Sequence, residues 1–387
     1  MATIFDYLEW RGDVPLSADP FNEVDNLILS ELIYADFRGI VPKYGNSVTL
    51  RQVCDDFFSR RTREEVRAEK WFTAKAPLLM DGMLSGARFR DTRLSYYVDE
   101  IDTKQQTQFA AVTFILPDDS TYIAFRGTDG SIVGWKEDFS FLFMPATEGQ
   151  NRSINYLNRI ARIIPGQLRI GGHSKGGNFA VYGSAFCNKN VRKRISEVYS
   201  NDGPGFRPEV VETDEYQSIL PKIIKIIPDT SVIGLLMASQ AQPRVIKSQA
   251  FGLIQHDGFS WLVKRNRFEE SSLTMMSELI DKALVEWISQ MDDDTRRTLI
   301  ETVFSTLEST GAEGFREMTQ QKWKSAGAIL SKITSIPWKK QLELWQIMHR
   351  LGQASGNTIG SYISSLINKQ LSGENRLTGG TATADTV

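Results

Sequence analysis

Residues 170–183 read "IGGHSKGGNFAVYG". A short apolar run ends in Gly171-Gly172, Ser174 stands between His173 and Lys175, two more glycines come next, and a helical pattern begins. Gly172-His173-Ser174-Lys175-Gly176 fits the G-x-S-x-G pattern of a nucleophile elbow, a strained corner between strand and helix. Small flanking residues are required there because strand, turn and helix backbones come close together. The corner raises the serine oxygen above the sheet. It also sets the Lys175 amide at a helix N-terminus, where it can stabilise a developing oxyanion. The alternative is a glycine-rich turn with an ordinary capping serine; a strand before the motif and a helix after it favour the elbow.

The pattern on either side alternates. Upstream, "FAAVTFIL" (109–116) and "TYIAF" (121–125) are β-rich runs separated by Pro117-Asp118-Asp119-Ser120, which predicts an antiparallel hairpin. Beyond it, "INYLNRIARII" and "NFAVYGSAF" read as helices, and "QLRIGG", "ISEVYSN", "KIIKIIP" and "PRVIKS" as strands. Strands alternating with helices predict an α/β fold, a mostly parallel sheet covered on both faces. Apolar positions Val24, Leu27, Ile28, Leu32 and Ile33 predict an amphipathic helix over residues 21–40, and a second runs over about 50–69.

Near Asn266 the character changes. "LTMMSELIDKALVEWISQM", "DTRRTLIETVFSTLEST" and "PWKKQLELWQIMHRLGQ" have helical periodicity, and Asp292-Asp293-Asp294 suits a helix N-terminus. The last stretch, "SGENRLTGGTATADTV", has too little apolar content to pack. The expected organisation is an α/β domain with a helical N-terminal segment over 1–265, a helical C-terminal region over 266–371, and a disordered tail over 372–387.

Composition narrows the function classes. The chain has 387 residues, 41% of them hydrophobic, enough for a substantial core, and a formal net charge of -2, so no basic field draws nucleic acid. The two cysteines, Cys54 and Cys187, have no metal-ligand spacing and are expected to be free thiols. The start, "MATIFDYLEW", lacks the basic and apolar parts of a signal peptide, and no window supplies the roughly 20 apolar residues of a membrane span. These features predict a cytoplasmic protein.

A nucleophilic serine needs a base, and the chain has three histidines. His173 lies inside the elbow and His349 sits among Leu342, Trp345 and Met348. That leaves His256, in "GLIQHDGFSW", on a loop late in the sheet where the order Ser, acid, His places the base. Two aspartates come directly after strands and could orient it: Asp229, slightly preferred on topology, and Asp202 in "SNDGPGF". A second oxyanion donor is expected from the loop after "TYIAF", where Gly127 turns the chain and Thr128 offers an amide and a hydroxyl. In the same loop Arg126 and Asp129 can pair, while Trp135 and Asp138 can anchor the next segment of chain.

At these residues the sequence resembles a known group. "AFRGTDGSIVGWKEDF" is similar to the R-G-[ST] loop and W-x-x-D of class-three lipases, and "GGHSKGGNFA" to their G-H-S-x-G-G elbow. Over about the first 265 residues, "FDYLEWRGDVPLSADPFNEVDNLILSELIYADF", "NDGPGF", "VIGLL" and "QHDGFSW" together resemble the Mbeg-like group of bacterial proteins of unassigned function, built on a lipase-like α/β-hydrolase core. The resemblance implies Ser174 as nucleophile, His256 as base, and Thr128 with Lys175 as oxyanion donors. Lysine at 175 departs from the leucine common in those lipases, and "NDGPGF" replaces their usual post-strand motif.

Together these features predict a serine hydrolase of the esterase or lipase kind. It would cleave a small-molecule or lipid carboxylic ester through an acyl-enzyme, with no metal or organic cofactor. Apolar runs "FSFLFMPATEG" and "SVIGLLMASQAQP" flank the site as acyl-pocket, lid or plain core. The competing reading is a catalytically silent α/β-hydrolase-fold protein whose C-terminal helices, with Trp287, Trp323, Trp338 and Trp345, dock a protein partner or a membrane surface.

Overall fold

The structure, a computed structural model, describes residues 1–69, 72–275, 277 and 291–308. The chain divides into two compact units, and the sheet and the candidate site both belong to the first, Met1–Ile300. The four tryptophans of the docking reading, His349 and the tail 372–387 lie outside the described residues. Of the expected C-terminal helices, one is described, Asp293–Glu308; Asp292 opens it by accepting the Thr295 amide at 2.7 Å.

Eight strands form one sheet in chain order: β1 (Val48–Thr49), β2 (Arg93–Asp102), β3 (Thr107–Ile115), β4 (Thr121–Phe125), β5 (Leu168–His173), β6 (Ile195–Asn201), β7 (Ile223–Pro228) and β8 (Pro243–Ile246). The first four pair antiparallel and the last five parallel. Strand β2 has no counterpart among the predicted strands: Asp99, Glu100 and Asp102 mask its pattern, and Tyr96, at φ 57°, breaks its register with β3. The hairpin turn between β3 and β4 is closed by Asp118, whose carboxylate accepts the Ser120 amide and hydroxyl.

Parallel strands laid side by side in chain order send their right-handed crossovers over a single face. Helices α7 (Glu148–Ile163) and α8 (Lys175–Phe186) therefore pack on one side, with Phe109, Ala111, Ile123, Phe125, Ile170 and Val198. The alternate residues Val112, Phe114, Tyr122 and Ala124 point the other way and need a separate cover. That cover is the N-terminal segment: α1 (Ile4–Arg11), α2 (Glu23–Leu32), α3 (Leu50–Arg60), α4 (Arg63–Ala68) and α5 (Leu79–Ser85), joined by Phe259, Trp261 and Phe268 from late in the chain.

Two predicted helices are redrawn. The helix expected over 21–40 is cut to α2, Glu23–Leu32, and residues Val24–Leu32 are all buried rather than amphipathic. Its polar side meets the sheet instead of water. Asn26 donates to the Asn201 side chain at 2.8 Å, Tyr122 Oη donates to Asn26 at 2.7 Å, and the Ser30 and Tyr122 hydroxyls lie 2.8 Å apart. The helix expected over 50–69 breaks at Arg61-Thr62, because Thr62 caps a fresh start with Glu65 as its capping-box partner.

The N-terminal cover is tied by one buried cation. Arg88, fully buried, donates Nε to Asp25 Oδ1 at 2.7 Å and Nη1 to the Asp19 carbonyl at 2.9 Å, while Nη2 pairs with Asp25 Oδ2. Tyr7 also donates to Asp25, at 3.0 Å. Arg88→Met strands the buried carboxylate, so unfolding in urea is expected to show a loss of about 3–5 kcal/mol. A loss below about 1 kcal/mol would contradict that role.

Candidate functional site

Ser174 sits between β5 and α8 with φ 57° and ψ -130°, a conformation rare for a side-chain-bearing residue. The cause lies in its neighbours. A Cβ on Gly172 would stand 2.4 Å from the Gly176 carbonyl and 2.6 Å from the Phe125 oxygen, and one on Gly176 would stand 2.0 Å from that same oxygen. Helix α8 is thus pressed against the ends of β4 and β5, and the turn between must be abrupt. The Ser174 amide donates to the Asn201 carbonyl at 2.9 Å, which joins the corner to the end of β6.

Asp202 is the next residue after that strand. It is buried, has φ 46°, and its Oδ2 lies 2.6 Å from His256 Nδ1. Its Oδ1 accepts the Ser231 hydroxyl at 2.5 Å and the Gly234 amide at 3.1 Å. Burial alone pushes this carboxyl up, but the hydrogen bond and charge of His256 and the hydrogen bond from Ser231 outweigh it, and its pKa is lowered. A carboxylate can only accept, so His256 carries its proton on Nδ1 and, when neutral, presents a bare Nε2. The His256 side chain is 20% exposed.

Asp229, slightly preferred from sequence, gives way to Asp202 as the carboxylate on the histidine. It continues the β7–β8 ladder through its amide and the Ile246 carbonyl, and its side chain accepts the hydroxyls of Thr230 at 3.3 Å and Ser271 at 3.1 Å. The run 231–236 is likewise more than an apolar wall, since its Ser231 and Gly234 seat Asp202. Phe141 and Phe143, in the other apolar run, are buried.

A layer that the sequence did not reveal lies behind the histidine. His173 Nε2 is 2.7 Å from the His256 carbonyl, so that nitrogen bears the proton, and Nδ1 accepts from Tyr34 Oη at 3.3 Å. Burial, reinforced by His256, lowers the His173 pKa to about 3, which keeps the ring neutral. Glu31 Oε1 lies 3.5 Å from His173 Nδ1. Burial, then the charge of Asp257, raises the Glu31 pKa well above the usual range. No short motif marks these residues, because their partners lie 83 and 139 positions apart in the chain.

The second arm comes from the loop after β4. A Cβ on Gly127 would meet Tyr34 Oη at 2.3 Å, the His173 carbonyl at 2.6 Å and Ser174 Cβ at 3.0 Å, so the loop backbone lies against the elbow and only glycine fits. Thr128 is buried and donates its hydroxyl to Asp138 at 2.5 Å. Arg126 pairs with Asp129 at 3.3 Å, as its sequence position suggested, and more closely with Asp99 at 2.7 Å. Lys175 contributes a side chain as well as an amide: its Nζ is buried 3.1 Å from Glu137 Oε2. Among the described residues no cluster of side chains could hold a metal ion, and no helix is long and apolar enough to cross a membrane.

An elbow serine after β5, an aspartate after β6 and a late-chain histidine on that aspartate define an α/β-hydrolase core. The chain belongs to the Mbeg1-like family, whose model matches residues 83–305. Among curated proteins none matches the sequence. Similar solved structures include the native Rhizomucor miehei lipase propeptide complex, at 15% identity over 43% of this chain and 58% of that one, TM-score 0.32. Others are the Lip2 lipase from Yarrowia lipolytica, at 13% identity over 49% and 73%, TM-score 0.31, and M37 lipase, at 11% over 67% and 79%, TM-score 0.35. This chain spans 58% of the Rhizomucor miehei lipase chain it matches.

Asp138 supplies a pH test of that geometry. Burial raises its pKa from 3.8 to about 6, against the Lys175 charge and the Thr128 hydrogen bond. The folded protein then holds this proton more tightly than the unfolded chain, so the group favours folding at low pH and loses that contribution as pH rises through about 6. Asp138→Asn keeps an acceptor for Thr128 and removes the titration. Urea midpoints at pH 4 to 7 are expected to show wild type losing ground to the variant as pH rises; a constant difference would mean that Asp138 titrates as an ordinary carboxylate.

Proposed function

We infer that this protein is a serine hydrolase acting on a carboxylic ester, with Ser174 as nucleophile, His256 as general base and Asp202 as the acid that orients it. The observation that carries this reading is the 2.6 Å contact between Asp202 and His256, at the strand end next to an elbow serine of positive φ. The pairing leaves His256 Nε2 free to take a proton, which is the task of a base beside a serine.

In the reaction, Ser174 Oγ bonds to the ester carbonyl carbon as its proton passes to His256 Nε2. The amides of Lys175 and Thr128 receive the carbonyl oxygen as it becomes an oxyanion. The carbon–oxygen ester bond then breaks, the alcohol leaves with the proton from His256, and the acyl group remains on Ser174. Water, deprotonated by the same nitrogen, releases the carboxylic acid and restores the serine. Asp202 stays ionised throughout, because its hydrogen bonds and the adjacent imidazolium both favour the charged form.

Labelling with a fluorophosphonate and hydrolysis of p-nitrophenyl esters of increasing chain length test the assignment. Wild type is expected to label and turn over, and Ser174→Ala to do neither. Asp202→Asn should lower kcat by about 10³- to 10⁴-fold through loss of the correct tautomer. Asp229→Asn should stay within about threefold of wild type, being a change away from the reacting groups. Wild-type protein that is folded and inert toward both reagents would sink the hydrolase reading and favour a silent binding protein. Equal losses in the two aspartate variants would remove Asp202 from its role.

A further inference from the structure

Resting on the hydrolase reading, we propose that the buried Lys175–Glu137 ion pair is the strut that holds Thr128 beside the elbow, making the Lys175 side chain a positioning residue for the oxyanion loop. The lysine is the residue directly after the nucleophile, and its ammonium is turned away from solvent. Nζ donates to Glu137 Oε2 at 3.1 Å, Gln108 Oε1 at 3.0 Å and the Gly134 carbonyl at 3.3 Å, and both members of the pair are at most 1% exposed. Three donors thus meet three acceptors, leaving no proton of the buried ammonium unmatched.

Glu137 is equally engaged. Besides Lys175 it accepts the Thr107 hydroxyl, the Gln108 amide at 3.0 Å and the Gly149 amide at 2.9 Å. One carboxylate therefore joins the start of β3, the start of α7 and the first residue of α8. It belongs to the helix Ile132–Ser140 (α6 in chain order), which also carries the two residues that grip Thr128. Asp138 holds the Thr128 hydroxyl. Gly134 lies so close that an added Cβ would stand 2.8 Å from Thr128 Cγ2. The chain of contact runs from the residue after Ser174, through Glu137 and Gly134, to the residue whose amide faces the same reaction.

A leucine at 175 could supply the amide but not the strut. It would leave the Glu137 carboxylate buried with three neutral donors and no cation, so lysine and glutamate are expected to depend on one another. Oxyanion stabilisation requires donors fixed before the charge develops, and a loop free to move by a fraction of an ångström loses that benefit. The strut therefore acts on the transition state and leaves ground-state binding of the ester largely unchanged.

The test uses the full chain carrying Lys175→Met with Glu137→Gln, a pair that removes both charges together, and Glu137→Asp, which keeps the charge but shortens the reach. For both, the expected result is a KM within about threefold of wild type and a kcat lowered by about 10- to 100-fold, with phosphonate labelling of Ser174 slowed in parallel. A folded double variant with wild-type kcat and labelling rate overturns the proposal. Should the double variant fail to fold, unaltered kcat in folded Glu137→Asp overturns it instead. Amide hydrogen exchange gives a readout independent of chemistry: residues 127–131 should exchange at least about tenfold faster in the variants while 168–173 are unchanged. Unaltered exchange in a folded variant counts against the strut, whereas a wild type that neither labels nor hydrolyses counts against the hydrolase reading.

Discussion

The whole arrangement depends on how closely one helix approaches two strands. Gly172 and Gly176 have no side chains because the Phe125 oxygen and the α8 backbone occupy the space a Cβ would need. With the helix pressed this far down, one residue must turn the chain from β5 into α8, and Ser174 turns it at positive φ. Such a conformation costs of order 1–3 kcal/mol and persists only where its surroundings over-determine it. Here the surroundings are the Asn201 carbonyl on the serine amide, the Gly203 backbone of the Asp202 turn, where an added Cβ would stand 2.9 Å from the serine carbonyl oxygen, and the Gly127 loop at the serine Cβ. These contacts come from the C-terminal end of β6 and the segments after β4 and β6, the two strands that flank β5, so the strained corner and the residues around it are one packing solution.

Much of this was legible because the constraint is local. A glycine two before and two after a serine, between an apolar strand and a helix, has few physical causes other than close backbone approach. Periodicity exposed β3 to β8, whose alternating or apolar runs report burial directly. Strand β2 escaped because its carboxylates are used by cations elsewhere in the chain, Asp99 by Arg126 and Glu100 by Lys43 and Arg152. Helix α2 looked amphipathic because Asn26, Ser30 and Glu31 look solvent-facing until Tyr122, Asn201 and His173 are placed beside them. A polar residue in a sequence does not say whether its partner is water or a side chain far along the chain.

The choice between the two aspartates was ambiguous for a related reason. Asp202 and Asp229 both come directly after parallel strands at the same end of the sheet, and strand order alone cannot rank two neighbouring positions. What separates them is conformation. Asp202 adopts φ 46°, a region that aspartate tolerates better than most residues, and the next position, Gly203, is too crowded for a Cβ. That turn swings the carboxylate back over the strand ends toward His256, whereas Asp229 carries on the ladder to β8 and meets hydroxyls at the sheet edge. The glycines of "NDGPGF" are the available signal, since the crowding at Gly203 marks a carboxylate being aimed.

Buried charge is distributed unevenly about this scaffold, and the distribution separates stability from function. On the N-terminal face, Arg88 and Asp25 join segments of the cover, and their ion pair serves to fix a layer that the crossover helices cannot supply. Around the site, Asp202 with His256 and Lys175 with Glu137 form two separate pairs about Ser174. On the proposed reading the first pair reaches the serine through a titratable ring, the second through helix α6 and a threonine. On the hydrolase reading a serine oxygen becomes useful only when a proton acceptor and an oxyanion site are both fixed relative to it, and a buried carboxylate holds each, Asp202 through the His256 ring and Glu137 through Lys175 and its own helix.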